Sequence, residues 1–307
     1  MDEFSLIKTY FAPLAKGYSD SLNLTDDAAI IDVPPGFELV VTKDAISEGI
    51  HFIGNEEPKL IAQKLLRTNL SDLAAMGATP LVYFLALMLP KNTGEEWIKS
   101  FAEGLAHDQK QFNIHLSGGD TIATNGTLTF SITAMGLVPK GQSLRRSGAK
   151  VGDGIYVSGT LGDSALGLSS LRAQRSNPSD LYLINRYLLP EPRIALGEAL
   201  RGIASSAMDI SDGLLQDLNH ICQTSKVGAI LHSYLIPLSL AAKHHPDALS
   251  AALSGGDDYE LLVTIPKEKS APAGLTQIGE IVEGETIDVF DENGKPLAIH
   301  RKGYRHF

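Results

Sequence analysis

The sequence predicts an α+β fold in two domains, residues 1–138 and 139–307, and three observations carry that prediction. Helical and strand periodicities are mixed along the chain without a strict βαβ repeat. The pattern breaks at Pro139-Lys140-Gly141 and the basic segment Arg145-Arg146-Ser147-Gly148-Ala149-Lys150, and strands and helices restart beyond it. A chain of 307 residues, 43% of them hydrophobic, has enough apolar side chains for two cores.

Glu3 to Ala12 reads as a short amphipathic helix on Phe4, Ile7 and Phe11, followed by a loop leading to Thr25-Asp26-Asp27-Ala28-Ala29. Phe37 to Thr42 is strand-like and runs straight into Lys43-Asp44. Pro58 suits the first turn of the next helix and Gly77 its C-terminal stop. On that helix Asp72 falls at the edge of the apolar arc of Leu66, Leu70 and Leu73, and Asn69, three residues earlier, leans the same way. Leu81 to Leu89 fits a strand buried on both faces. Thr93-Gly94-Glu95-Glu96 forms a capping box, with Trp97, Phe101 and Leu105 as a core stripe behind it. Asn113 to Leu116 is a short strand delivering Ser117-Gly118-Gly119-Asp120, and Thr127 to Val138 is a long strand with one face covered. In the second domain, strand 154–158 leads through Gly159-Thr160-Leu161-Gly162-Asp163-Ser164 into a helix ending near Leu171. Arg172 to Asp180 reads as a loop, and Pro192 begins another helix. Ala207 to Gly213 precedes a helix on Leu214, Leu215, Leu218 and Ile221. The late strands are 259–265, 276–282 and 286–290.

Composition excludes several functions. The net charge of −10 argues against a nucleic-acid partner. No apolar run approaches the roughly 18 residues of a membrane span, and the N-terminus lacks the basic and apolar regions of a secretory signal. The single cysteine, Cys222, permits no internal disulfide and reads as a core residue. A cytoplasmic protein is expected. An acidic protein that binds phosphates needs divalent cations, helix N-termini or a few arginines.

Three phosphate-binding devices are absent: the G-x-x-x-x-G-K-[ST] loop, the G-x-G-x-x-G fingerprint and the kinase H-R-D loop. Zinc spacings are absent too. What remains is aspartate beside glycine or small residues at the ends of elements: Asp26-Asp27, Asp44, Asp72, Asp120, Asp209, Asp212 and, in Ser254-Gly255-Gly256-Asp257-Asp258, a further pair. Any one of them can be an ordinary turn or cap residue. If several converge, repulsion of about 4 kcal/mol per pair at 4 Å and an effective dielectric near 20 would consume most of a domain's stability of roughly 5–15 kcal/mol. Convergence therefore implies bound cations, and hard oxygen donors without His or Cys point to magnesium. Gly118-Gly119 and Gly255-Gly256 allow close backbone approach to a ligand. Ser211 can cap a helix whose free N–H groups face an anion, and Arg146 offers a fork for phosphate oxygens.

Taken together and in this order, Asp26-Asp27-Ala28-Ala29, Thr42-Lys43-Asp44, Asn69 to Gly77, Ser117-Gly118-Gly119-Asp120-Thr121, Arg146 to Lys150, Asp209-Ile210-Ser211-Asp212-Gly213-Leu214 and Ser254 to Leu261 resemble the thiamine-monophosphate kinase family of the aminoimidazole ribonucleotide synthetase-related superfamily. The resemblance runs from near residue 4 to the C-terminus. It implies ATP-dependent phosphorylation of thiamine monophosphate to thiamine diphosphate, assisted by several Mg2+ ions. It implies metal ligation by Asp27, Thr42, Lys43, Asp44, Asp72, Asp120, Asp209 and Asp212, with Asp72, Asp120 and Asp212 the catalytic set. Gly119, Asp120, Arg146 and Ser211 would border ATP, and His51, Asp257 and Tyr304 the thiamine monophosphate. It further implies a homodimer, with the N-terminal α/β domain building a β-barrel across the dimer and a mixed α/β C-terminal domain. The chain departs from the family at three points. Thr25 replaces the usual glycine before the two aspartates. Lys43 replaces a small hydroxyl residue, so a metal contact there would use backbone. Asp257 replaces the usual glutamate.

Phosphoryl transfer to a phosphate, already an oxyanion, requires positioning and charge neutralisation more than a strong base. A relative that activates another substrate, such as selenophosphate synthetase or a hydrogenase-maturation enzyme, usually carries an N-terminal or C-terminal reactive Cys that this sequence lacks. A non-catalytic protein that binds Mg-nucleotide or thiamine phosphate is the reading from a different class.

Overall fold

The computed structural model describes residues 3–298 and 303, so Tyr304 lies outside the described residues. The chain divides into two compact units, 1–73 with 78–141 and 74–77 with 142–307.

In the first unit, α1 (Glu3–Leu6), a π-helical turn (Ile7–Phe11) and α2 (Ala12–Ala15) lead through a 3-10 turn (Ser19–Leu24) to β1 (Phe37–Ser47), α3 (Pro58–Ala75), β2 (Thr79–Pro90), α4 (Glu95–Phe112), β3 (His115–Thr124) and β4 (Thr129–Pro139). The sheet runs β1-β4-β2-β3. β4 is antiparallel to both neighbours, whereas β3 is parallel to β2, with α4 as the crossover. Within one chain this is an open sheet with β1 and β3 at its edges, not a closed barrel.

Four expectations change here. Lys43-Asp44 lies inside β1, and Ser117-Gly118-Gly119-Asp120 lies inside β3 rather than on a turn beyond a short strand. β2 alternates between buried and half-buried residues instead of being covered equally on both faces. The capping box does not form: Gly94 is the N-cap of α4, and the Thr93 hydroxyl donates to the Pro90 carbonyl at 2.8 Å. α3 is buried around its whole circumference from Ile61 to Ser71, not only along its apolar stripe. Its polar residues therefore need internal partners. Arg67 donates from Nε and Nη2 to the fully buried Asp108 of α4 at 2.6 and 3.0 Å, and Gln63 Nε2 donates to the same carboxylate at 2.7 Å. Beside these contacts, Trp97 and Phe101 stack at 5.2 Å and Phe101 meets Phe130 of β4 at 4.9 Å, making the expected core.

The second unit contains β5 (Gly154–Ser158), α5 (Asp163–Arg172), α6 (Pro178–Leu188), α7 (Ile194–Ala199), β6 (Ser206–Asp209), α8 (Leu214–Ser225), β7 (Gly228–His232), α9 (Ala248–Ser254), β8 (Leu261–Ile265), β9 (Leu275–Val282) and β10 (Ile287–Phe290). Its sheet runs β10-β7-β9-β5-β8-β6. β8 is buried throughout, and Ile155, Val157, Met208, Ile210, Leu214 and Leu218 join its core, as does Cys222, whose thiol burial pushes up to about 11. α6 begins inside the stretch read as a loop: Asn177 caps it by accepting the Asp180 N–H at 2.9 Å, and Pro178 occupies its first turn.

Gly104 of α4 sits where α3 comes closest, and a Cβ there would lie 2.3 Å from the Lys59 carbonyl oxygen. Gly104→Ala is expected to force the helices apart and destabilise the protein by about 1–3 kcal/mol. A urea unfolding midpoint equal to the wild type's would contradict that packing.

Candidate active site

The first unit places candidate residues in two settings. On β1, Thr42 and Asp44 share one face of the strand by its two-residue period. The Thr42 hydroxyl donates to Asp72 Oδ2 in the last turn of α3. The Asp44 N–H donates to Asn69 Oδ1 at 3.2 Å, and Asn69 Nδ2 donates in turn to the Leu65 carbonyl at 2.9 Å. Asn69 is wholly buried, so one side chain ties the Asp44 main chain to the helix that carries Asp72. Burial first, and the Asp72 charge second, push the Asp44 carboxyl from 3.8 up to about 6. Lys43 projects from the opposite face, where its Nζ donates to Ser131 Oγ at 2.9 Å and to Thr133 Oγ1 at 3.4 Å. Any metal contact at that position falls to its backbone.

The second setting is a cavity of about 560 Å3, walled by Phe11, Phe84 and Leu87 and rimmed by Asp26, Asp27, Gly118, Gly119 and Asp120. Asp27 and Asp120 are exposed. Gly119 has a steric reason to be glycine, since a Cβ would lie 2.0 Å from the Leu85 carbonyl oxygen. Apolar walls with an acidic rim suit a base or other flat apolar group carrying a metal-bound phosphate chain. His51 lies on the turn after β1, where its Nδ1 accepts the Ser47 N–H at 3.1 Å and its carbonyl accepts from Lys64 Nζ at 3.2 Å.

In the second unit, β6 ends at the buried Asp209, and the chain turns through Ser211, Asp212 and Gly213 into α8. The Asp257 N–H donates to the Ser211 carbonyl at 2.8 Å, and the Tyr259 N–H to that of Ile210 at 2.8 Å, so the two aspartate turns lie side by side. Gly256 makes this possible, because a Cβ there would be 2.5 Å from the Ser211 oxygen. Asp257 takes a left-handed φ of 66°. Arg146 is exposed, on a segment whose Gly148 and Ala149 N–H groups are held by Ser225 Oγ at 3.1 and 3.2 Å. Asp258 belongs to the frame instead. It is fully buried and accepts the Gly162 and Ser164 N–H groups at the start of α5 at 2.6 and 3.2 Å, and burial pushes its carboxyl up to about 8.

The structure thus brings Thr42, Asp44 and Asp72 together. It gathers Asp26, Asp27, Gly119 and Asp120 around one cavity, and Asp209, Ser211, Asp212 and Asp257 at one strand end. Sequence reasoning did not single out Asp217 and Gln216 of α8, which hold the Asp212 turn. It noticed Asn69 only as a polar neighbour of Asp72. Among the described residues, one group of three potential ligands lies within 4.8 Å of one another, Asp212, Asp217 and His220. The donors at Thr42, Asp44 and Asp72 are all hard oxygens, a set that fits magnesium.

The raised value of Asp44 has a consequence for stability. Its protonated form is favoured by folding, so the folded state binds the extra proton between 3.8 and about 6. Stability from this group is therefore lost as pH rises through that window. In the presence of chelator, Asp44→Asn is expected to raise the melting temperature relative to wild type by an amount that grows from about pH 4 to about pH 6 and then levels off. Parallel melting curves for the two proteins across that range would show the carboxylate to be unstrained.

Residues 25–138 match the AIR synthase related protein, N-terminal domain, and residues 150–292 match the AIR synthase related protein, C-terminal domain. The thiamine-monophosphate kinase of Haemophilus influenzae is 44% identical over 325 residues, covering 100% of this chain and 98% of the relative. Among solved structures, thiamine-monophosphate kinase from Stenotrophomonas maltophilia K279a is 38% identical with a TM-score of 0.84, covering 94% of this chain and 98% of that one. The structure of AaThiL complexed with AMPPCP and TMP is 32% identical with a TM-score of 0.83, covering 99% of this chain and 97% of that one. The chain belongs to the thiamine-monophosphate kinase family of AIR synthase related proteins.

Proposed function

We propose that this protein is an enzyme that phosphorylates thiamine monophosphate to thiamine diphosphate at the expense of ATP, in the cytoplasm. The observation that carries the reading is the pairing of Asp44 and Asp72 at Thr42. This oxygen-only donor set is held under mutual repulsion, in a chain similar over its length to a kinase solved with AMPPCP and TMP. A phosphate oxygen of thiamine monophosphate forms the new bond to the γ-phosphorus as the bond to the β,γ-bridging oxygen breaks, and ADP leaves with that electron pair. Because the attacking oxygen is already anionic, the residues have to position and neutralise rather than deprotonate. Bound magnesium would supply neutralisation of the phosphoryl oxygens.

In this reading residues 1–138 form a domain whose Asp27, Thr42, Asp44, Asp72 and Asp120, with the Lys43 backbone, hold the several magnesium ions. The cavity beside Gly119 and Asp120 takes part of the nucleotide, and His51 borders the thiamine phosphate. Residues 139–307 form a second domain in which Asp209 and Asp212 are further metal ligands. Arg146 and Ser211 border ATP, and Asp257 and Tyr304 border the thiamine phosphate. Asp72, Asp120 and Asp212 are the catalytic set. The shorter Asp257, standing where a glutamate is usual, takes its place beside the Ser211 turn through its backbone hydrogen bond. We also propose a homodimer in which the open sheet of the first unit closes into a barrel with its counterpart. Two exposed edges support this: Phe37 and Val41 on β1 and Ile122 on β3 present large apolar side chains to solvent.

Incubation with Mg-ATP and thiamine monophosphate is expected to yield thiamine diphosphate and ADP in equal amounts, and chelation of magnesium to stop it. Asp72→Asn should fold normally and turn over at less than about a hundredth of the wild-type rate. Nucleotide binding without ADP formation by the wild type would instead favour a non-catalytic binding protein. In sedimentation, the pure protein should run at twice its 32.9 kDa chain mass, and a monomer at micromolar concentration would remove the barrel.

A further inference from the structure

The Asp212 turn has a feature that the ligand assignments leave unused. The backbone between Ser211 and α8 passes through Gly213 at φ 121°, pressed so closely against the next turn that a Cβ would lie 2.9 Å from the Ser254 carbonyl carbon. At a helix start the first N–H groups have no partner within the helix. Here the N–H groups of Asp212 and Gly213 both donate to one oxygen of the Asp217 carboxylate, at 3.1 and 3.0 Å. The Asp217 N–H donates in return to the Gly213 carbonyl at 3.0 Å, closing a ring of hydrogen bonds around the turn. Asp217 is 1% exposed, so its carboxylate has no solvent competing for those donors. Next to it on α8, Gln216 Nε2 donates to Asp212 Oδ2 at 2.9 Å, fixing the ligand side chain while Asp217 fixes its main chain.

We propose that Asp217 is a positioning residue for the phosphoryl-transfer site: it sets the backbone of the Asp212 turn by accepting both of its N–H groups, and contributes no bond to metal or substrate. This rests on the kinase reading above. The neighbouring His220, whose ring nitrogen lies within 4.8 Å of both carboxylates, raises the rival role of Asp217 as a cation ligand. The rival differs in what it demands of the side chain. Holding two N–H groups requires an acceptor oxygen in the right place, which asparagine keeps. Ligating a cation requires the charge, which asparagine lacks.

The test compares Asp217→Ala and Asp217→Asn with wild type by three measurements. These are the rate of thiamine diphosphate formation, the magnesium concentration for half-maximal turnover, and deuterium uptake in peptides covering residues 210–214. Asp217→Ala is expected to lower kcat/KM and raise the half-maximal magnesium concentration by about 10–100-fold, the usual effect of losing a support behind a metal ligand. It should also exchange the Asp212 and Gly213 amides faster. Asp217→Asn should restore slow exchange and bring both kinetic quantities to within about 3-fold of wild type, well below the roughly 10–100-fold expected for a lost support. If Asp217→Asn is slowed as much as Asp217→Ala while its amides stay protected, the charge is what matters and the proposal is wrong. It is equally wrong if Asp217→Ala keeps wild-type kinetics. Should Asp217→Ala fail to fold, Asp217→Asn decides alone, since near-normal turnover with normal protection is required of it. If the wild type forms no thiamine diphosphate, the kinase reading fails by itself, and the exchange data still report whether Asp217 holds the turn.

Discussion

Two carboxylates on neighbouring elements, Asp44 of β1 and Asp72 of α3, are held together by a fold that gains nothing from their proximity in the absence of cations. Burial and the second charge raise Asp44 to about 6, so near neutral pH the fold maintains an unfavourable arrangement. Contacts elsewhere must hold it in place. Asn69 ties the Asp44 main chain to α3, Thr42 bonds Asp72, and the buried Arg67–Asp108–Gln63 group locks α3 against α4. Ion pairs of this kind are weak evidence for stability, because desolvation offsets attraction. Their visible consequence here is geometric, since they leave α3 one position beside the sheet.

The second unit uses carboxylates in two ways, and the difference separates the frame from the candidate site. Asp258 and Asp217 each accept two backbone N–H groups at a helix start, and Glu260 is fully buried between Arg186 and Arg193, with contacts of 2.8 Å from Arg186 Nη2 and 2.7 Å from Arg193 Nη2. Asp258 and Glu260 commit both oxygens to the chain itself, and Asp217 commits one. Asp212 is held from behind by Gln216 and from below by Asp217. In the first unit Asp27 and Asp120 stand exposed at a cavity rim. An aspartate whose carboxylate is used up by main-chain donors cannot also ligate a cation well, whereas one that is oriented and open can.

Glycine has a matching role at both places. Gly119 lets β3 lie against the Leu85 carbonyl while carrying Asp120, and Gly256 lets the Asp257 turn close on Ser211. In each case the close contact is with protein backbone, so each double-glycine segment shapes its own neighbourhood, whatever it also allows a ligand to approach.

The sequence by itself determined the class of the fold, most of the elements, the family, and the residue types that chemistry with phosphates and hard cations requires. These depend on local periodicity, composition and motif order, which are written along the chain. It misplaced features that depend on neighbours. Lys43-Asp44 read as the end of a strand and Gly118-Gly119-Asp120 as a turn beyond a short one, yet cross-strand pairing drew them into β1 and β3. α6 hid behind a polar approach to Asn177 and Pro178. Which aspartates are open and which are spent on backbone N–H groups was decided only by tertiary structure. Asp217 and Asp212 carry the same side chain five residues apart, and only the fold of the turn between them makes one the acceptor of the other's backbone N–H. Burial and hydrogen-bond partners are set by residues distant in sequence, so no local pattern encodes them.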